Sequence, residues 1–398
     1  MILLAMSASL LAQTPTATAP SFGDGSPDSL YQISTLNHLY WITQTSSEWD
    51  KHYIQTANID AFSTSGWDSD KGFSPIGNNS IKFTGSYDGD GYTINGLTSA
   101  RSIYQHIGLF GYTDGATIQD LGVTNVNITG KHYVGALVGL NAENDSSTIS
   151  NCYSTGSVTS PGSYVGGLVG RAFKLDISNC YSTCNVTGID NTGGLAGQVI
   201  DTSTVSNCYS TGTVAGRSKV GGLIGYLLDS TTSVSNCYST GSVTGTGNHI
   251  GGFVGRVHNN PTVSNSFWDT QTSGHGSSAD GTDKTTAEMK TASTFYDADW
   301  DFEEDGNGND DGTNGGASGN GTDNYWDMDQ DGNNYPVLSW QNGATVLVTD
   351  LTDPSAPTNL IATPGNTQVV LTWVANSEDD LASYKVYRGT SNSTTTLK

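Results

Sequence analysis

A ten-residue block, Ile149-Ser150-Asn151-Cys152-Tyr153-Ser154-Thr155-Gly156-Ser157-Val158, returns along the centre of this chain in echoes that begin at Ile177, Val205 and Val234. A last echo, Val263-Ser264-Asn265-Ser266-Phe267-Trp268, drops the cysteine and closes the array. A second block precedes each copy. It reads Val134-Gly135-Ala136-Leu137-Val138-Gly139 and then Val165-Gly166-Gly167-Leu168-Val169-Gly170, with relatives at Gly193 to Gly197, Val220 to Gly225 and Ile250 to Gly255, and a shorter first copy at Ile107 to Gly111. From one glycine block to the next lie 27 to 31 residues, too few for an independent domain. Short β-branched runs broken by glycine, with no three-and-four apolar spacing, do not make helices. They cannot bury a face alone either, so each copy must stack on its neighbour. The expectation is an all-β chain built on a right-handed parallel β-helix solenoid of six rungs, residues 106–268, with both ends capped.

Stacking at the ~4.8 Å spacing of neighbouring strands turns each repeated residue into a column. Asn151, Asn179, Asn207, Asn236 and Asn265 form one, either an amide ladder of the cross-β kind or a row of solvated turn residues. Cys152, Cys180, Cys208 and Cys237 form another, and the tyrosines that follow them a third on the opposite face. In-register parallel side chains keep Cβ atoms about a strand spacing apart, beyond the ~3.8 Å of a disulfide, so the cysteines read as buried free thiols. Cys184 stands where other copies have Gly156, Gly212 and Gly241. In the glycine block, Val165, Gly167 and Val169 alternate with Gly166, Leu168 and Gly170, and either face could point inward.

Only 35% of the 398 residues are apolar, which suits a solenoid or modular surface protein better than one large core. Fifteen Lys and Arg stand against 38 Asp and Glu, a formal charge of −23 that excludes nucleic acid as a partner. Met1 to Ala12 is apolar but shorter than the ~20 residues that span a bilayer. It reads as the core of a signal peptide over residues 1–19, which implies export to the cell surface or medium, and no later stretch forms a transmembrane segment. An open β-helix must cover its unpaired strand edges. Residues 20–105 are expected to cap the first rung, with a short helix from Ser34 to Ile42, and residues 269–345 the last. There Thr285 to Glu288 has the form of a capping box, and Trp268, Trp300, Trp326 and Trp340 could close the end.

The two blocks together resemble the GLUG-motif repeat, found in exported bacterial surface proteins and beside the catalytic part of some secreted immunoglobulin-cleaving metallopeptidases. Phe73-Ser74-Pro75-Ile76-Gly77 before the array and Tyr335-Pro336-Val337-Leu338-Ser339-Trp340 after it are similar to the flanks of such proteins. The resemblance spans roughly Tyr31 to Trp340, and it implies the fold more than a molecular function. After a linker at 346–355, residues 356–398 resemble the first three strands of a fibronectin type III β-sandwich. Ala356 to Leu360, Val369 to Trp373 and Leu381 to Arg388 would be those strands, about half of the ~100 residues such a fold needs, so the sequence is expected to be part of a longer chain.

Chemistry is sparse. Between Ser266 and Asp353 there are eighteen Asp or Glu against two Lys. Within this acidic stretch Asp327, Asp329 and Asp331, followed by Gly332, present oxygens at alternate positions as a calcium loop does, though Leu338 takes the place of the bidentate glutamate. Asp305, Asn307, Asn309 and Asp311 alternate similarly; the competing account is a solvated loop. No HExxH pair and no zinc-spaced Cys and His set is present, so the metallopeptidase activity does not carry over. The charged residues of the rungs, among them Arg171, Lys219 and Arg256, occupy variable connections and recur in no column. The functional expectation is therefore a non-catalytic surface protein, an adhesin or a spacer, whose flat faces meet glycans or proteins. The alternative is a carbohydrate-active lyase or glycosidase, or an accessory region of a larger secreted enzyme.

Overall fold

A computed structural model describes residues 16–142, 144–300, 325–328, 334–342, 358–364 and 369–374. The described residues form two units, one reaching as far as Asn342 and a second at the C-terminal end. The first is a parallel β-solenoid. One coil illustrates its path: Leu175–Ser178 lies in a first sheet, Tyr181–Ser182, Asn185–Thr187 and Asp190–Gly193 form a bent third sheet, and Ala196–Ile200 lies in a second. The first sheet has nine strands, from Tyr31–Ile33 to Thr262–Ser264, and the second has six, from Phe110–Thr113 to Val254–His258. Six turns of solenoid therefore carry both sheets. The residues expected to cap the array instead add the strands Tyr31–Ile33, His52–Gln55 and Ser86–Asp88 to the first sheet.

Every coil pairs with the next without a shift in the first sheet, so that Ile149, Ile177, Val205 and Val234 stack inward and are fully or almost fully buried. The turn after this strand is made by the asparagine column. Asn151, Asn179, Asn207, Asn236 and Asn265 all have φ between 45° and 53°, the left-handed region that asparagine tolerates better than most side chains. What the column shares is thus a backbone conformation. Among their side chains, Asn151 donates to Asp120 at 2.8 Å, whereas the amide oxygens of Asn179 and Asn207 are buried without a partner.

Directly after each asparagine the cysteine turns inward. All five cysteines are free and buried. The thiols of Cys152, Cys180, Cys208 and Cys237 each donate to the carbonyl two residues earlier, at 3.0 to 3.1 Å, and so close the asparagine turn from inside. Ser266, at the cysteine position of the last echo, makes the same bond to Ser264 at 2.7 Å and accepts from the Cys237 N–H. Burial pushes the Cys152, Cys180 and Cys208 thiols well above their ordinary range. Cys184 is buried in a column otherwise made of glycines, stacked on Gly212, and burial raises its thiol to about 11.

The glycine block is neither face of one strand; it is a corner. Ser163–Gly166 ends one strand and Val169–Phe173 begins the next, so Val165, Leu168 and Val169 can all be buried. A Cβ on Gly166 would lie 2.0 Å from the Val169 carbonyl oxygen, and one on Gly167 would lie 2.2 Å from that of Gly194 on the next coil. Only glycine lets the chain turn this tightly against its neighbour. A buried serine column spans the interior to these corners: Ser154, Ser210 and Ser239 donate to the carbonyls of Gly167, Gly222 and Gly252.

At the N-terminal side the expected helix forms at Leu36–Gln44, with Thr35 accepting from the His38 N–H as its cap and Leu39 and Ile42 buried. At the far side Thr285 and Glu288 form the reciprocal capping box, which opens only a single 3₁₀ turn, Glu288–Lys290. The second unit shows an antiparallel pair, Thr358–Pro364 with Val369–Val374. The third expected strand, Leu381 to Arg388, and the signal segment up to residue 15 lie outside the described residues.

This packing makes a prediction about the thiols. A thiol reagent should find none of the five cysteines in the native protein and all five after unfolding in guanidinium, and Cys208→Ser should unfold within about 1 kcal/mol of the parent because Ser266 already makes those bonds. Fast native reaction, or fewer free thiols after non-reducing denaturation, would contradict the free buried column.

Candidate functional site

The two long flanks of the solenoid differ in what they leave open. On the third sheet the outward tyrosines stack: Tyr153, Tyr181, Tyr209 and Tyr238 have ring centroids 4.9 Å apart at each step and interplanar angles of 11°, 2° and 4°. Each such pair adds ~0.5–1.5 kcal/mol beyond its buried area. An apolar stripe of this length demands cover, and the chain after the last coil supplies it. Trp300 packs on Tyr238 and Phe267, Trp326 on Tyr209 and Tyr238, and Trp340 on Tyr153 and Tyr181. The strap thus runs back along the flank from the last coil. Of the four tryptophans expected to close the end, only Trp268 sits in the core of the last coil. The asparagine turns hold the strap too, because their carbonyls face outward: Trp340 Nε1 donates to that of Asn179 and Trp300 Nε1 to that of Asn265.

Asp269 ties the strap to the solenoid. Fully buried, its carboxylate accepts from the N–H groups of Gln271 and Thr272 at 2.8 and 3.1 Å, from the Thr286 hydroxyl at 2.7 Å and from the Tyr335 hydroxyl at 2.6 Å. Burial alone would raise this carboxyl, but the hydrogen bonds from Tyr335, Thr286, Thr272 and Gln271 together hold it below its ordinary value. Burial and the carboxylate push Tyr335 up to about 12, so it remains a donor.

The flank at the glycine corners has no covering segment among the described residues. One or two residues before each glycine block stands a residue with positive φ: His106, Tyr133, Tyr164, Asn191, Lys219 and His249, between 54° and 66°. Bulky side chains rarely adopt this conformation, and its cost of ~1–2 kcal/mol each is borne here by strand pairing on both sides. Seven residues later, on the second sheet, a second column runs Leu140, Arg171, Gln198, Tyr226 and Arg256 in unbroken register. The last glycine of each block brings the columns together, since a Cβ on Gly170 would lie 2.5 Å from the Val134 backbone nitrogen.

Side chains of the two columns touch along this strip. Tyr133 and Tyr164 stack at 4.8 Å and 8°, and His106 stacks on Tyr133 at 5.1 Å. The Arg171 guanidinium lies over Tyr164 at 5.6 Å, while Lys219 and Arg256 lie over the Tyr226 ring at 4.9 and 5.5 Å. Burial holds the His106 imidazole below its ordinary value. His106 also lines a pocket of about 580 Å³ at the N-terminal end of the strip, with Trp49, Ser74 and Arg101. The Arg101 guanidinium is committed to the protein, bonded to Asp68, Ser74 and the Phe73 and Gly72 carbonyls.

From sequence the charged rung residues are not expected to share a column. The structure corrects this: Arg171 and Arg256 share one, and the relation was hidden because the positions between them hold Gln198 and Tyr226. The signal that could have found it is position, the residue directly after each glycine block. Of the proposed calcium ligands, Asp327 lies in the strand Trp326–Asp327, paired with Val337–Leu338, and the side chain of Leu338 is buried in the core beneath the strap. Asp329, Asp331, Asp305, Asn307, Asn309 and Asp311 lie outside the described residues.

Comparison with known proteins agrees with the repeat. The family model of the GLUG motif matches residues 130–159, 161–187, 190–215 and 216–244, so the chain carries four GLUG repeats. Halomucin of Haloquadratum walsbyi is 36% identical over 156 residues, 38% of this chain. A candidate Gly-rich membrane protein of Evansella cellulosilytica is 32% identical over 124 residues, 30% of this chain. The matches span 2% and 14% of those two proteins. In fold, the chain is similar to the crystal structure of a candidate immunoglobulin A1 protease from Bacteroides ovatus, with a TM-score of 0.55 at 20% identity over 80% of this chain and 94% of that one. No helix among the described residues is long and apolar enough to cross a membrane.

The strap makes a pH prediction. Because the folded Asp269 carboxyl is lowered, its contribution is complete above the ordinary carboxylate pKa of ~4 and is lost as pH falls through the lower folded value. Tryptophan fluorescence should therefore report strap release only in acid, and Asp269→Asn should remove that acid-dependent step. An unchanged acid transition in the variant would assign the step to another group.

Proposed function

We propose that this chain is a non-catalytic protein exported to the cell surface, where its solenoid acts as a stiff display rod with one adhesive flank. The observation that carries this reading is the asymmetry of the flanks. One is sealed by a tryptophan strap over stacked tyrosines, whereas the other presents cations pinned on aromatic rings with no covering segment among the described residues. A rod needs its stiffness to come from within, and the buried serine, cysteine and valine columns provide it coil by coil.

Other features support the same reading. A relative named as a mucin and another described as a membrane protein fit a chain that works at a cell boundary. The apolar segment at residues 1–12 fits export, and the antiparallel pair at 358–374 fits the opening strands of a fibronectin type III module carried by the rod.

Protease added to intact cells that make the protein should cleave it, and immunodetection should follow its loss. Protection until the cells are lysed would contradict surface display. Release of sugar products from polysaccharides by the purified chain would contradict the non-catalytic role.

A further inference from the structure

The geometry points to a ligand for the open flank: the strip formed by Tyr164, Arg171, Asn191, Gln198, Lys219 and Tyr226 binds an acidic polysaccharide laid along the solenoid axis. This rests on the display reading above and names the partner of that surface. Charge is the first argument. In a chain of formal charge −23, Arg171, Lys219 and Arg256 converge on one flank, and the ion pairs among the described residues involve other cations. Their partners are aromatic faces, which hold a cation in place without neutralising it. Such groups are pre-organised for an incoming anion, so little side-chain entropy is lost on binding.

Hydrogen-bonding capacity is the second argument. Arg171 Nε, Asn191 Oδ1 and Gln198 Oε1 are buried with no hydrogen-bond partner, and Asn191 and Gln198 are each only 4% exposed. The column register places Asn191 and Gln198 on one coil, between the coil of Tyr164 and Arg171 and that of Lys219 and Tyr226. These atoms are occluded, so a ligand reaches them only as the surrounding side chains shift, and it must then offer donors to the two amide oxygens and an anionic acceptor to the guanidinium. Sugar hydroxyls with carboxylate or sulfate groups offer both. A DNA phosphodiester backbone offers acceptors alone, so single-stranded DNA could supply such donors only from its bases.

Spacing is the third. Arg171 and Lys219 lie two coils apart, roughly 10 Å at the strand spacing, and Arg256 follows on the next coil. An extended polymer with an acid group on every sugar can meet cations that stand two coils and then one coil apart. The nearby carboxylates leave the strip cationic: Asp190 is paired with Arg217 at 2.6 Å, and Asp201 and Asp229 stand on the turn beyond the second sheet.

The test is titration calorimetry on the purified full chain with an oligogalacturonate, dextran sulfate, uncharged dextran of equal length and a single-stranded DNA of matched charge. Binding of the uronate or the sulfated polymer, with dextran and DNA at least tenfold weaker, is expected. Arg171→Gln, Lys219→Gln and Arg256→Gln should each weaken binding roughly tenfold, while Lys51→Gln at the N-terminal end leaves it within about twofold. Matched melting temperatures and circular dichroism establish that the variants fold. DNA or dextran binding as tightly, a triple variant that binds like the parent, or failure of both acidic glycans would overturn the assignment. Such a failure leaves surface display standing, because protease access on intact cells tests that separately, and glycan binding by the purified chain does not depend on where the protein is located.

Discussion

Parallel pairing of each coil with the next, at one strand spacing and without slip, is the constraint from which the rest of this structure follows. It makes like residues neighbours, so a single substitution repeated along the sequence becomes a continuous surface. Inside, that surface is apolar and small: β-branched residues, buried thiols and serines that bond the glycine corners. Outside, it becomes the tyrosine stack on one flank and the cation and aromatic strip on the other. Register also explains the glycines, since strands of adjacent coils cross at distances that leave no room for a Cβ.

The flanks meet the problem of exposed aromatic surface in opposite ways. Stacked tyrosines spaced at 4.9 Å form an unbroken apolar stripe, and the strap covers it with three indoles while Asp269 fixes one end by hydrogen bonds. On the other flank the aromatic stack of His106, Tyr133 and Tyr164 gives way after three coils to charged and amide side chains, and the rings there hold cations. The covered flank contributes stiffness. The other presents its cations on aromatic rings, the surface to which the proposed glycan binding is assigned.

How much of this was legible in the sequence depends on whether residues repeat. The rung period, the asparagine and cysteine columns and the outward tyrosines could be read because identical residues recur at a fixed offset. The conformation of the asparagine turn could not, because solvated turns and amide ladders use the same residue. Inward and outward faces of the glycine block stayed ambiguous for a physical reason: Gly167 and Leu168 form a corner, where strand alternation does not apply. The strap was misplaced because Trp300, Trp326 and Trp340 have no repeat to position them, and their partners lie up to 187 residues away in sequence, as Tyr153 and Trp340 do. The cation and aromatic strip is not legible as a repeat because its columns mix Tyr, Arg, Gln, Asn and Lys.

The in-register stack can be measured directly with spin labels on the exposed face of the first sheet, where Ser86, Thr117, Ser233 and Thr262 occupy one column. The native thiols are buried, so labels attach only to introduced cysteines. With Thr262→Cys fixed as one partner of the 117 and 86 sites, and Ser233→Cys paired with Thr117→Cys, backbone separations of roughly 19, 24 and 29 Å are expected for four, five and six strand spacings. Dipolar distances that lengthen by one strand spacing per coil are the result this account predicts. Distances that do not rise in equal steps would contradict it.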